Sequence, residues 1–382
     1  MYSDELLLPW LQRLAVRVPG LSLFDSHTHL GDRDPDGSHL SQEGLLEALD
    51  LADARAVTFP LMDPAGYSDA NTAVIAAAAA SEGRLVAFCR VDPREDSAAE
   101  LERCFAAGAR GVKLHPRAED FDLRHPGVRT VMAAAAERCA PVVVHSGLGI
   151  PSLGRDALRL AEQFPRAPLI LAHVAEPDLA WIWRELEGHP SLFIDTAWWN
   201  PADHIALFSY APPGHILFGS DTPYGTTIAA AVVALATALG TGLSPAQAEA
   251  VCGGQLRRLL DGETTPQAFD LGPAPSAPPP RSPLVERVFT LLVGSLARMR
   301  TGAASEDLLE LARLGCDVDT SVPGAGALAD VAELLELRAT YAQTQELDGH
   351  RTTGFHLVLA AAALAGSPYA LSKPPEAAAE SG

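Results

Sequence analysis

Residues 21–30 read LSLFDSHTHL, an apolar run that carries an aspartate and two histidines at every second position. Successive side chains of a strand point to opposite faces, so Asp25, His27 and His29 are expected to share one face of a short strand. Three polar groups side by side do not make an ordinary hydrophobic face. The segment is therefore either an exposed edge strand or a place where the histidines bind something.

The same run is the first of eight strand-like segments. The others lie at 54–62, 84–93, 109–116, 141–147, 168–174, 191–198 and 215–223, and helix-like stretches separate them. This alternation predicts an α/β fold with a parallel sheet, and eight units are the number that closes into a (β/α)8 TIM barrel. An open doubly wound sheet is the competing arrangement. Its nucleotide site needs a glycine-rich first turn, and the first turn here, HLGDRDPDGS, lacks that pattern.

The chain is predicted to divide into four parts. Residues 1–262 form the barrel, with a last helix over SPAQAEAVCGGQLRRLLDG. Residues 263–283 contain seven prolines and are predicted to be a stiff, extended linker. Residues 284–368 hold four helix-like stretches and predict a small all-helical C-terminal domain, and 369–382 are expected to be a disordered tail.

Composition limits the classes of function. The formal net charge of −20 argues against nucleic-acid and anionic-membrane partners. Five cysteines are scattered without paired spacing, which favours reduced thiols and a cytoplasmic location. No apolar stretch reaches the roughly 18 residues of a membrane-spanning helix. We therefore expect a cytoplasmic protein that acts on a small molecule, and the apolar stripes of the helical domain leave a homo-oligomer open.

Polar side chains that chemistry favours fall at the carboxyl ends of the predicted strands. They are Asp25, His27 and His29 on the first strand, Lys113 and His115 on the fourth, His145 on the fifth, His173 on the sixth and Asp221 on the eighth. In a barrel these ends surround one opening, where barrel active sites lie. A lone histidine often has only a structural role, and Asp221 by itself could cap the next helix. Imidazoles and carboxylates that converge in this way predict a site for a divalent metal, zinc first.

The motifs that carry these residues resemble those of the amidohydrolase superfamily. They are D-x-H-x-H at 25–29, GVKLHP at 111–116, VVVHSG at 142–147, LILAHV at 169–174 and ILFGSDTPYG at 216–225. They look like the amidohydrolase-2 branch, which includes enzymes similar to aminocarboxymuconate-semialdehyde decarboxylase. The similarity covers roughly residues 20–262, and the family usually has Asn where this chain has Gln255. The helical region at 284–368 has no recognised counterpart.

The resemblance implies a role for each site residue. His27, His29, His145 and Asp221 would hold one divalent ion, most simply Zn²⁺. Asp221 would also act as a catalytic base beside the metal-activated water, with His173 as acid or base. Asp25 would orient the histidines of the first strand. A second ion stays open, because Lys113, if carboxylated, could bridge two metals; with one ion, Lys113 would meet substrate.

The implied activity is hydrolysis of an amide, ester or lactone bond of a small molecule. The alternative is a non-oxidative decarboxylase or hydratase of a carboxylated aromatic or unsaturated compound. Four further residues are candidate substrate contacts. His115 shares a strand face with Lys113, and Trp198 could form a wall of the pocket. Arg90 and Arg117 could each bind a substrate carboxylate through two hydrogen bonds. Either arginine could instead form a salt bridge with an acidic neighbour.

A second alternative is a scaffold or binding protein that recruits a partner through the helical domain. His350 and His356, which lie in that domain, would matter for the site only if the domain folds over the opening of the barrel.

Overall fold

The computed structural model describes residues 4–269, 281–344 and 354–371. In these residues the strands are β1 (Phe24–Leu30), β2 (Arg55–Pro60), β3 (Leu85–Arg90), β4 (Gly111–Leu114), β5 (Val142–Val144), β6 (Leu169–Leu171), β7 (Leu192–Asp195) and β8 (Ile216–Leu217). The helices up to the proline-rich segment are α1 (Asp4–Ala15), α2 (Gln42–Ala52), α3 (Ser68–Ala80), α4 (Ala98–Ala107), α5 (Pro126–Arg138), α6 (Gly154–Gln163), α7 (Leu179–Ile182), α8 (Pro201–Tyr210), α9 (Thr227–Gly240), α10 (Pro245–Glu249) and α11 (Gln255–Leu260). The helices after it are α12 (Pro283–Arg300), α13 (Glu306–Leu314), α14 (Ala325–Thr344) and α15 (Phe355–Gly366).

The eight strands are parallel and lie in the order of the sequence from β1 to β8. Backbone hydrogen bonds then connect the segment that follows β8 to β1. The amide of Ser26 donates to the carbonyl of Phe218, and the amide of Asp221 donates to the carbonyl of His27, each at 2.8 Å. The predicted (β/α)8 TIM barrel, with helices between its strands and a helical region after it, is confirmed.

The strands themselves are shorter than the apolar runs predicted. The run at 215–223, for example, contains only the two residues of β8. Beyond them the backbone turns, and Asp221 adopts a positive φ of 61°. The residues after the strands form the upper edge of the barrel and carry most of the polar side chains singled out above.

Apolar side chains fill the barrel interior. This interior cluster consists of Phe24, Val57, Phe59, Phe88, Val143, Ile170, Ala172, Phe193, Leu217, Leu256, Leu259 and Leu260. Its last three members belong to α11, and Arg110, directly before β4, donates a hydrogen bond to the Leu260 carbonyl. Helix α11 therefore closes the amino end of the barrel, and the carboxyl end is left for the site.

Strand β1 breaks the strict alternation that the sequence predicts. Its register against β2 shifts between Asp25 and Thr28, as a β-bulge does. Phe24 consequently packs in the barrel interior, while His27 and His29 line the cavity at the carboxyl end. Asp25 instead accepts hydrogen bonds from the amides of His27 (3.0 Å) and Ser220 (2.9 Å). The prediction that Asp25 shares one face with both histidines is wrong, because the extra residue resets which side chains point inward.

The C-terminal helices pack against the outer layer of the barrel. Every residue of α15 is buried, and this helix contacts α9 of the barrel as well as α12 and α14. Helix α9 is almost entirely buried in turn. Helix α1 adds a second link, since the Trp10 indole donates to Asp330 of α14 at 3.2 Å and Arg13 pairs with the same carboxylate. The hydrophobic core therefore runs without interruption from the barrel into the helical region.

The predicted division into four parts stays a prediction. Most of the expected linker and tail falls on residues 270–280 and 372–382, which lie outside the described residues. His350 also lies outside them, in the range 345–353. The first part of the linker is attached to α11, because the Gln255 side chain donates to the Thr265 carbonyl at 3.3 Å and accepts from the Gln267 amide at 2.6 Å. Among the described helices, none is long and apolar enough to cross a membrane.

Candidate active site

Two histidines of β1 and the aspartate after β8 meet at the carboxyl end of the barrel. Asp221 Oδ1 lies 3.3 Å from His27 Nε2 and 3.1 Å from His29 Nε2. One ligand atom from each residue lies within 4.8 Å of the others. In the described part of the chain this is the group whose spacing suits a metal ion, and it contains three of the four predicted ligands.

Burial and the neighbouring side chains determine the protonation states of His27, His29 and Asp221. Burial lowers the pKa of His27 and lowers that of His29 to about 4. Burial opposes the charge on Asp221, yet the neighbouring imidazoles lower its pKa below the ordinary range. At neutral pH the site therefore offers neutral imidazoles and a carboxylate, the forms that bind metal ions.

Asp195 fixes the orientation of His27. Its Oδ2 lies 2.7 Å from His27 Nδ1, and its Oδ1 accepts from the amides of His173 (2.8 Å) and Ala197 (3.0 Å). Since Asp195 accepts, Nδ1 of His27 carries the hydrogen and Nε2 presents a lone pair toward Asp221. Two acceptors, His27 Nε2 and Asp221 Oδ1, then face each other at 3.3 Å, an arrangement that calls for a cation between them.

Asp195 was missed by sequence reasoning, although it ends the run LFID as a lone acid at the carboxyl end of a buried strand. That position is the signal that could have identified it, since the carboxyl ends of barrel strands surround the active site.

Lys113 lies against the lone pair of His27 Nε2. Its Nζ is 3.0 Å from His27 Nε2 and 4.6 Å from the centre of the Phe59 ring. Burial lowers its pKa to about 7, against the attraction of Asp221 and Asp195. A protonated Lys113 and a metal ion would compete for His27 Nε2, so the state of this side chain bears directly on metal binding.

His145 and His173 form a connected pair beside the histidines of β1, with the ring centres of His173 and His27 5.0 Å apart. His173 Nδ1 lies 2.6 Å from the Ala197 carbonyl, which can only accept, so this nitrogen carries the hydrogen. His173 Nε2 is then an acceptor for His145 Nδ1 at 2.9 Å. This order of donors leaves a lone pair on His145 Nε2, which is buried and has no hydrogen-bond partner.

His145 lies outside the three-residue group, yet its buried lone pair is what a metal ligand would present. Its role as a fourth ligand stays a prediction. His115 stacks on His145 with ring centres 3.9 Å apart and so supports that ring from the side.

Two of the predicted catalytic residues have left-handed backbones. His173 and Asp221 have φ values of 60° and 61°, and the two residues after His173 are also positive. Such a conformation costs a non-glycine residue on the order of 1–3 kcal/mol and tends to occur at functional sites. Here it turns the chain at the ends of β6 and β8, where both side chains face the opening.

The two arginines proposed to bind a substrate carboxylate differ in burial and in hydrogen-bond partners. Both line the cavity. Arg90 is buried and bonded to Glu119 at 2.6 and 3.1 Å, the salt bridge that was the alternative reading. Arg117 is exposed at the rim, with one hydrogen bond to the Leu148 carbonyl at 3.4 Å. Its position at the rim fits a substrate contact better than that of Arg90.

Trp198 is held in place from two sides. Its indole donates to Asp203 at 2.7 Å, and its carbonyl lies 3.0 Å from His204 Nε2. The ring lies beside His173, with centres 6.2 Å apart. It lines the cavity, as expected of a pocket wall.

The cavity above the site has a volume of about 640 Å³. It reaches from the histidines of β1 to side chains of α12 and α15, among them His356. His356 was expected to matter for the site only if the helical region folds over the opening of the barrel, and the helical region does so. No local sequence pattern signals this contact, because it joins positions far apart in the chain.

Comparison with known proteins identifies the family. The model of the amidohydrolase family matches residues 24–261, more than half of the chain. No curated protein matches the sequence.

Three solved structures illustrate the shared fold. The 5-carboxyvanillate decarboxylase of Sphingomonas paucimobilis is 15% identical with a TM-score of 0.50, and the match covers 63% of this chain and 99% of the other. An amidohydrolase of Burkholderia multivorans is 16% identical with a TM-score of 0.52, over 63% and 99% of the two chains. An uncharacterised TIM-barrel protein of Bordetella bronchiseptica is 17% identical with a TM-score of 0.52, over 64% and 99%. From β1 to α11, this chain belongs to the amidohydrolase family.

Proposed function

We propose that the protein is a metal-dependent hydrolase that cleaves an amide, ester or lactone bond of a small molecule. The observation that carries this proposal is the convergence of two lone-pair atoms, His27 Nε2 and Asp221 Oδ1, at 3.3 Å, with His29 Nε2 beside them. Neutral imidazoles and one carboxylate in this arrangement fit a single Zn²⁺ or similar divalent ion. His145 Nε2 is the fourth candidate ligand.

The bound ion would supply Lewis-acid polarisation of a carbonyl and a lowered pKa of water. Side chains of the protein would accept and donate the protons. Asp221 is the carboxylate nearest the histidines and can take a proton from the attacking water. Because its pKa is low, Asp221 can pass that proton on to the leaving group.

His173 is the second acid or base. Its Nδ1 is anchored on the Ala197 carbonyl, so Nε2 is the nitrogen that would exchange a proton with the reacting group, in place of its contact with His145 Nδ1. Lys113 and Arg117 provide positive charge near the site for an anionic part of the substrate.

A non-oxidative decarboxylase or hydratase is the second candidate. The observation that favours it is that Lys113 and Arg117 both line the cavity, where they could contact a substrate carboxylate. The products discriminate the two candidates: hydrolysis yields an acid with an alcohol or amine, whereas decarboxylation releases carbon dioxide.

The test is metal analysis followed by a substrate screen. We expect one divalent ion per chain, and His27→Ala with His29→Ala should abolish it. Esters, lactones, amides and carboxylated aromatics are then compared as substrates. Full metal occupancy in the double variant would refute the assignment of the ligands.

His173→Asn separates catalysis from metal binding. The ion and the fold should survive, while kcat falls by on the order of 10²–10⁴ because the acid or base is lost. His189→Asn, at the amino end of the barrel, is the matched control and should leave kcat unchanged. Equal turnover in His173→Asn and the wild type would remove His173 from the mechanism.

A further inference from the structure

The cavity has a polar floor, and the roof above it is partly apolar. The floor consists of the side chains from the strand ends, including His27, Lys113 and Asp221. The opposite side is lined by the apolar Met299, Phe355 and Leu359 and, beside them, by the polar Arg300 and His356 of the same two helices, α12 and α15. A ligand that reacts at the floor can therefore place part of its remaining surface against apolar side chains.

The roof comes from outside the part of the chain that matches the family. The match ends at residue 261, whereas α12 begins at Pro283 and α15 ends at Gly366. The amidohydrolase portion thus contributes the reacting groups, and the C-terminal helices contribute the wall that faces them.

We propose that α12 and α15 select the substrate. The cavity takes small molecules in which the reacting carbonyl is joined to an aryl or branched alkyl body, and that body lies against Met299, Phe355 and Leu359. The position of the reacting carbonyl rests on the proposed function. The apolar contact itself is independent of the reaction type.

The roof is held rigidly enough to discriminate. All of α15 is buried between other helices, so Phe355 and Leu359 have a fixed backbone. At the end of α12, the Arg300 guanidinium lies 4.4 Å from the centre of the Trp199 ring, which joins the roof to the loop after β7. A preformed apolar wall favours ligands of matching shape because little ordering is required on binding.

Size and solvation explain why an apolar body would be preferred. A cavity of about 640 Å³ is far larger than an acetyl group, so a small acyl compound would leave most of the cavity volume to water. A phenyl ring would remove apolar surface from water on both partners, which corresponds to a gain in affinity of roughly tenfold or more. A polyhydroxylated body would lose hydrogen bonds to water without replacement where it faces Met299, Phe355 and Leu359.

The experiment compares two hydroxamic acids, which bind divalent metals through the same group and differ only in their bodies. Acetohydroxamate and benzohydroxamate are titrated calorimetrically into the zinc-loaded, full-length protein. We expect benzohydroxamate to bind at least about tenfold more tightly, and Phe355→Ala to lower its affinity about tenfold while acetohydroxamate is unaffected. Leu311→Ala, an exposed leucine of α13, is the control and should change neither value.

Equal affinities for the two hydroxamates, or an unchanged ratio in Phe355→Ala, would overturn the inference. If Phe355→Ala does not fold, Phe355→Leu and Leu359→Ala make the same comparison. Failure of the metal site itself would show as absence of metal and of binding by both compounds. In that case the apolar contact is tested with the dye 1-anilinonaphthalene-8-sulfonate, whose binding needs no metal. Reduced dye fluorescence in the Phe355 and Leu359 variants relative to Leu311→Ala supports the inference, and unchanged fluorescence contradicts it.

Discussion

The charge and tautomer of single side chains decide what this site can bind. Asp195 accepts from His27 Nδ1 and thereby leaves Nε2 of that ring as a lone pair, while Lys113 Nζ lies on the same nitrogen at 3.0 Å. A chain of two hydrogen bonds, from the Ala197 carbonyl through His173 to His145, fixes the other rings in the same way. Two residues, Asp195 and Lys113, therefore control His27 and provide tests at this scale.

Asp195→Asn should weaken metal binding without unfolding the protein. The amide oxygen can still accept from the amides of His173 and Ala197, but the NH₂ group would face His27 Nδ1 and force the hydrogen onto Nε2. Loss of that lone pair should reduce metal affinity about 10–100-fold. Competition with a chromophoric chelator measures the affinity, and Asp122→Asn, at an exposed site, is the control. Wild-type affinity in Asp195→Asn would show that this carboxylate does not set the tautomer.

Lys113→Met tests how many ions the site holds. With one ion, removal of the ammonium beside His27 Nε2 removes a competing positive charge, so metal affinity should stay the same or rise while KM for an anionic substrate increases. With two ions bridged by a carboxylated lysine, the metal content should fall instead. Metal analysis of the purified variant, with Lys113→Arg as the charge-preserving comparison, distinguishes the outcomes.

At the scale of elements, β1 shows how a local irregularity builds the site. A regular strand that buried Phe24 inside the barrel would turn His27 outward. The register shift after Asp25 directs Phe24, His27 and His29 toward the barrel axis, and Asp25 ties the irregular backbone down through the amides of His27 and Ser220. The bulge thus allows one strand to supply both core packing and ligands.

Helix α9 has a similar double role. It begins directly after the β8 turn that carries Asp221, and it is buried almost throughout because α15 covers its outer side. A barrel helix normally keeps a polar outer face. The alanine- and valine-rich sequence of α9 therefore indicates that another element covers it, which α15 does here.

For the whole molecule, the shared core predicts one cooperative unfolding transition rather than two. Leu357→Ala, at a fully buried position of α15, should cost about 2–5 kcal/mol and shift the entire transition. Calorimetry and loss of bound metal should report the same midpoint, because α15 packs on the helix that follows Asp221. Leu311→Ala, at an exposed position, should change stability by less than about 0.5 kcal/mol. Separate transitions, with only one shifted, would show that the helical region is an independent unit.

Sequence patterns were sufficient to predict the barrel and three residues whose spacing suits a metal ion. Strand order follows from eight repeated strand–helix units, because parallel neighbours with short connections leave few other topologies. His27, His29 and Asp221 follow from the same regularity, since strand ends converge on one opening.

Other features depend on contacts that form only when the chain folds. The bulge in β1 depends on packing of Phe24 within the barrel, and the role of Asp195 depends on a ring nitrogen supplied from 168 residues away. The approach of Met299, Phe355 and His356 to the site depends on how α12 and α15 cover α9. Local pattern does not encode such contacts, because an apolar helix face specifies that it must be buried but not which surface will bury it.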